Sequence, residues 1–194
     1  MSKIAHNLVI LLVILLFANQ YLVFQIFSGK TSFAQTSQDE LIQKFIPQAQ
    51  GKENVRPYKW KEQEVSIQRY LTENGKQLVE MEKEAKLDGD KEKLYKAMIS
   101  QIYHPCCDGP VSGCECIHAV AGRGITKYLL SLGWEEKKIW EEVLFWMKFW
   151  FPKHYALGAL YLKSQGQDPF TFDAKTWLSA DYSTLKAQKK FNVQ

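Results

Sequence analysis

From residue 1 to 105, and again from 117 to 194, the chain contains no cysteine. That absence excludes disulfides between distant segments. With no cysteine closing the N-terminal apolar run, it also excludes a bacterial lipoprotein anchor. Charge of one sign is lacking as well. The 25 Lys and Arg face 21 Asp and Glu, and a formal net charge of +4 is no nucleic-acid footprint. There is no phosphate-binding glycine loop and no paired-carboxylate site. Nor is there a hydrolase triad, because Ser112 and His118 have no third member to nominate. The Cys-x-x-Cys-His signature of covalent haem attachment is missing. Internal repeats, low-complexity tracts and convincing strand alternation are also absent, so the pattern predicts an all-α chain.

What is present begins with an apolar run at residues 8–27, preceded by Lys3 and followed by Ser32-Phe33-Ala34. A basic start, an apolar core and small residues at a cleavage site describe a secretory signal peptide. The run also approaches the ~20 residues that span a bilayer, so a retained membrane anchor competes with cleavage after Ala34. Either reading makes residues 1–34 a targeting segment and leaves the remainder extracytoplasmic, periplasmic or secreted, with Lys3 inside. Cleavage leaves enough chain for one domain with a real core.

Residues 35–58 are polar, with Pro47, Gly51 and Pro57, and read as a linker. Residues 59–166 read as a helical domain and 167–194 as a C-terminal tail with Phe170, Phe172 and Trp177 as anchors. Within the domain, helical spacing recurs from Trp60 to Leu87, with Asn74-Gly75 as a break. It recurs again from Lys91 to Tyr103, with Asp90 as N-cap. A helix restarts near Ile117 and ends at Gly133 as its C′ residue. The next runs from about Trp134 to Pro152, which stops or kinks it, and a shorter one ends at Gly166. The expected architecture is a small helical bundle with a Cys/His-rich loop between two helices.

That loop, residues 104–118, holds every cysteine: His104-Pro105-Cys106-Cys107, then Cys114-Glu115-Cys116-Ile117-His118. Pro105, Gly109, Pro110 and Gly113 exclude regular structure between them. Three chemistries fit. Two disulfides can join Cys106 and Cys107 to Cys114 and Cys116, with the pairing open. Alternatively His104, Cys106, Cys107, Cys114, Cys116 and His118 are metal ligands, and thiolate with imidazole suits copper(I) or zinc. In the third, Cys114 and Cys116 carry thiol–disulfide exchange. Cys116 lies at the mouth of the helix near Ile117, where free amides and the dipole stabilise a thiolate. Cys114 or Cys107 would then resolve the mixed disulfide.

The stretch Leu94–Ile139 resembles the CcmH-type thiol proteins of bacterial cytochrome c maturation and the small exported proteins with a PCYCGC-type motif. The resemblance rests on the helix Leu94–Ile102 leading into the cysteines, on Ala119, Arg123, Ile125 and Leu129-Leu130, and on Gly133 followed by Ile139. It implies a three-helix bundle whose first two helices are joined by the cysteine loop. CcmH-type proteins carry Cys-x-x-Cys, whereas this chain has adjacent Cys106 and Cys107 and then Cys114-x-Cys116-x-His118. That departure favours a metal or a different redox pair.

Trp140, Phe145, Trp146, Phe149, Trp150, Phe151 and Tyr155 surround one helix. It reads as buried core, with an exposed face for a protein partner or the membrane surface as the competing reading. Glu141, Glu142 and Lys148 exclude a membrane span. A haem ligated by His154 or His118 is a weaker reading, without the attachment motif. The expectation is an extracytoplasmic thiol-redox or metal-handling accessory protein with a protein partner, acting in cytochrome c or copper-protein maturation. The alternative is a disulfide-stapled, non-catalytic subunit that docks a membrane complex through the aromatic helix.

Overall fold

The computed structural model describes residues 38–47, 55–66 and 75–191. Chain contacts divide it into two units after Leu41. Of the first unit, residues 38–41 are described, and they are helical. The signal or anchor segment at residues 1–34 lies outside the described residues. Among the described residues no helix is long and apolar enough to cross a membrane. All that follows concerns the second unit, Ile42–Gln194.

The expectation of an all-α chain is correct for most of the described residues but misses a β-hairpin. Strands β1 (Val55–Trp60) and β2 (Gln63–Ser66) pair antiparallel, with Trp60 opposite Gln63. The turn residues Lys61 and Glu62 have φ of 47° and 64°. Two left-handed residues in a two-residue loop are the signature of a type I′ turn, whose twist matches the strands. The turn lacks the Asn-Gly that normally announces it. Residues 42–45 are helical, so the stretch expected as a linker is partly ordered. The helix expected from Trp60 to Leu87 is confined, within the described residues, to α1 (Gly75–Glu84).

Helix α2 (Gly89–Ile99) runs into the cysteine loop, and α3 (Ile117–Ser131) leaves it. Helix α3 packs closely on α1 because Gly124 has no side chain: a Cβ there would lie 1.9 Å from the Leu78 carbonyl oxygen. Its C-terminus bears out the expected glycine stop. Gly133 has φ of 78°, its N–H donates to Leu130 O, and Trp134 N–H donates to Leu129 O. These are the two bonds of a Schellman motif.

Helix α4 (Glu136–Trp150) is the core helix, with Ile139, Val143, Trp146 and Met147 all without exposure. Its one buried charge, Glu142, is answered by the hairpin. Arg56 Nε and Nη2 donate to the two Glu142 oxygens at 2.8 and 2.5 Å. Tyr58 O–H donates to Glu142 Oε1 at 2.9 Å and accepts from Trp146 Nε1 at 2.8 Å. A fork-shaped guanidinium meeting a carboxylate with both arms is the strong form of this pair. The hairpin is thereby latched across α4, and Trp60 meets Tyr128 of α3 edge-to-face at 4.9 Å.

Helix α4 stops before Pro152, the first residue of α5 (Pro152–Ser164), where the missing N–H costs nothing. The expected tail is structured: a 3-10 turn at Pro169–Thr171, then α6 (Ala174–Trp177) and α7 (Leu185–Phe191). Trp177 and Phe191 are buried, but Phe170 is 53% exposed and Phe172 only half-buried.

Candidate metal centre

The loop from Ser100 to Cys116 is held from three sides. Ile102 and Val111 are fully buried, and Val111 N–H donates to Ile102 O at 2.8 Å. Tyr103 N–H reaches Leu178 O at 2.8 Å, and Asp108 Oδ1 accepts from the Lys186 N–H at 2.9 Å. The third anchor is Arg123 of α3. Its Nη1 donates to the carbonyls of Val111 and Cys114, both at 2.6 Å, while its Nε donates to Glu82 of α1 at 2.5 Å. Burial, the largest single influence, works against the Arg123 charge, but the bond to Glu82 and the charges of Glu82 and Glu115 together outweigh it and raise the pKa. Residues 111–113 form a 3-10 turn ending on Cys114. Cys116 is the N-cap of α3, as expected, although its side chain makes no capping bond.

These anchors gather the donors. One atom each from His104, Cys106, Cys107 and Cys116 lies within 4.8 Å of the other three, so the group could hold a metal ion. Cys106 Sγ is 2.8 Å from His104 Nδ1 and 3.4 Å from Cys116 Sγ. With zinc–sulfur bonds of 2.3 Å, tetrahedral thiolates sit about 3.8 Å apart, close to the 3.4 Å between Cys106 and Cys116. The other two sequence candidates each approach one member of the quartet without joining it. His118 Nδ1 is 3.9 Å from Cys106 Sγ, with its ring packed on Phe151 at 4.7 Å and Trp150 at 5.6 Å. Cys114 pairs instead with Cys107, sulfur to sulfur at 2.7 Å. Of the three pairings open to four cysteines, the fold favours Cys106 with Cys116 and Cys107 with Cys114.

The surroundings bias each donor. His104 has no exposure, and burial, helped by the nearby His118, lowers its pKa to about 4. The imidazole is therefore neutral at physiological pH, the form that ligates metal. Burial similarly lowers His118. Burial, then the contact with Cys116, pushes the Cys106 thiol up, which fits an S–H donated to His104 Nδ1. Cys107 is pushed up to about 11, chiefly by its bond to Cys114. That same bond is the main reason Cys114 is lowered, and Arg123 adds to it. The preferred thiolate of this pair is thus Cys114, stabilised by a neighbouring S–H.

Aromatic rings of the α4–α5 junction wall the cluster. His104 stacks on Phe151 at 6.4 Å with the rings 27° apart. Cys106 is the most exposed of the four cysteines, and the other three are half-buried. Two residues that sequence reasoning missed complete the site, Arg123 as carbonyl clamp and Glu82 as its counter-charge. A lone arginine among Ala119, Ala121, Gly122, Gly124 and Ile125 was the available signal. A second concavity of about 1000 Å³ lies elsewhere, lined by Phe45, Trp140, Lys148 and Phe172 among others and by none of the cluster residues.

The site therefore defines a surface-accessible thiol–imidazole cluster carried on a helical scaffold. Searches against protein-family models, curated proteins and solved structures found no match to this chain.

Proposed function

We propose that this chain is an extracytoplasmic metal-handling protein that binds one soft ion, zinc(II) or copper(I), through His104, Cys106, Cys107 and Cys116. The observation that carries the reading is the convergence of four donor atoms within 4.8 Å in the loop between α2 and α3. Three sulfurs and one neutral imidazole are the donor set of closed tetrahedral zinc sites, and they suit copper(I) equally. Ligand deprotonation accompanies binding, so metal uptake releases protons and strengthens as pH rises. The exposed position of Cys106 at the rim suits transfer of the ion to a partner better than permanent burial would. Acceptors in cytochrome c or copper-protein maturation are the readings consistent with the CcmH-type resemblance of the loop and its helices.

Competition of the reduced full-length chain against a chromophoric chelator tests the reading. One equivalent of zinc or copper(I) should bind, and C106S or C116S should weaken it by about 100-fold or more, beyond the usual effect of losing an outer hydrogen bond. Equal affinity for wild type and both variants would refute it.

A further inference from the structure

Cys107 belongs to two groupings at once. It is one of the four donors of the quartet, and its sulfur is also 2.7 Å from that of Cys114, which is outside the quartet. A sulfur cannot keep a metal–thiolate bond of full strength and also form a disulfide. We propose that Cys107 is the switch of the metal centre: exchange with an external disulfide joins it to Cys114 and releases the ion. The inference rests on the metal-binding reading and adds its regulation.

The step balances with a disulfide, RSSR, as oxidant. The Cys114 thiolate attacks one sulfur, forming a mixed disulfide and expelling RS⁻. Cys107 then leaves the metal and attacks the Cys114 sulfur, forming the Cys107–Cys114 bond and expelling the second RS⁻. Two protein thiols are oxidised by two electrons in total and RSSR is reduced to two thiols. Cys114 reacts as a thiolate and Cys107 as a metal-bound thiolate, so both protons on the released thiols come from solvent. The centre is left with His104, Cys106 and Cys116, one ligand short of a closed site.

Geometry favours this pair over the other. Cys106 and Cys116 are 3.4 Å apart and both are tied into the quartet, whereas Cys114 is the one cysteine outside it. The 3-10 turn Val111–Gly113 already brings Cys114 back to Cys107, and Arg123 holds the Val111 and Cys114 carbonyls. The ring that the disulfide closes is therefore folded beforehand, and little closure entropy remains to be lost. Exposed Ser112, Gly113 and Glu115 flank Cys114, so an incoming disulfide can reach it.

The test loads the full-length chain with one equivalent of zinc, adds glutathione disulfide, follows released zinc with a colorimetric chelator and maps disulfides by peptide mass. Wild type should release zinc as a Cys107–Cys114 bond appears. C114S should bind zinc with near wild-type affinity and release it ~10-fold or more slowly, because the attacking thiol is gone. Release at the wild-type rate from C114S, or zinc release with a mapped Cys106–Cys116 bond and no Cys107–Cys114 bond, overturns the proposal, and the wild-type map decides even where C114S folds poorly. If the Cys107–Cys114 bond forms and zinc stays bound, the switch fails while the metal reading survives. If wild type takes up no zinc before oxidant is added, the metal reading itself fails and the switch with it.

Discussion

Replacing Arg123 by Lys should damage this protein far more than a like-for-like charge swap suggests. Arg123 has three hydrogen-bond partners in three directions, the Val111 carbonyl, the Cys114 carbonyl and the Glu82 carboxylate, and lies 3.6 Å from the exposed Glu115 carboxylate. A lysine ammonium is a point donor and cannot span them. If it stays with Glu82, the buried Val111 carbonyl keeps only the long bond from the Cys114 N–H at 3.5 Å, and losing the charged donor costs about 1.5–3 kcal/mol. If it follows the carbonyls, Glu82 is left without its partner, and breaking a buried pair costs about 3–5 kcal/mol, less here because Glu82 is 21% exposed. Either route leads to a loss of about 2–3 kcal/mol, a large share of a typical domain's stability. Urea unfolding of wild type, R123K, E82Q and the double variant would measure it, with a coupling of about 2 kcal/mol between the two positions. Zinc affinity should fall in the same variants, since the Cys114 end of the loop is no longer held. A loss below about 0.5 kcal/mol for R123K, within the usual range for surface changes, would refute the clamp.

Three further expectations concern the scaffold. Glu62 sits at φ of 64° in the hairpin turn, so E62G should stabilise the protein by about 1 kcal/mol in urea melts; destabilisation would mean its side chain is needed. G124A gains about 1 kcal/mol of helix propensity but drives a Cβ to within 1.9 Å of the Leu78 carbonyl oxygen, a backbone atom that moves only with α1. Thermal unfolding should show a net loss of about 2 kcal/mol, and a gain would show that α1 and α3 are not in such close contact. His154 is 3% exposed, and burial lowers its pKa although its Nε2 bonds to the Tyr182 carbonyl. The folded state therefore binds the proton less readily than the unfolded chain. Stability is full above pH 6.5 and declines as pH falls toward the folded value, and H154Q should flatten that slope in urea melts from pH 7 to 4.5.

The helices and the loop between them were legible because their signals are local. Apolar spacing marked α2 to α5, Gly133 and Pro152 marked two boundaries, and Pro105, Gly109, Pro110 and Gly113 marked a loop. The hairpin was not legible: its turn is Lys61-Glu62, with no glycine or asparagine, and β1 carries Arg56, Pro57 and Lys59 among its buried rings. What makes β1 a strand is tertiary, namely the latch of Arg56 and Tyr58 onto Glu142 across more than eighty residues of sequence. The site divides the same way. Residue types and density singled out six donors. Which four converge depends on the Arg123 clamp and on the direction of the 3-10 turn, and neither leaves a trace in spacing. The lowered pKa of Cys114 likewise comes from an S–H on Cys107 that only the folded loop brings near.

X-ray absorption at the metal edge of the zinc-loaded protein addresses the central claim most directly. The account predicts a single shell set of three sulfurs near 2.3 Å and one imidazole nitrogen near 2.0 Å, unchanged in C114S and reduced by one sulfur in C107S. A shell of oxygen and nitrogen only, or loss of a sulfur in C114S, would contradict it.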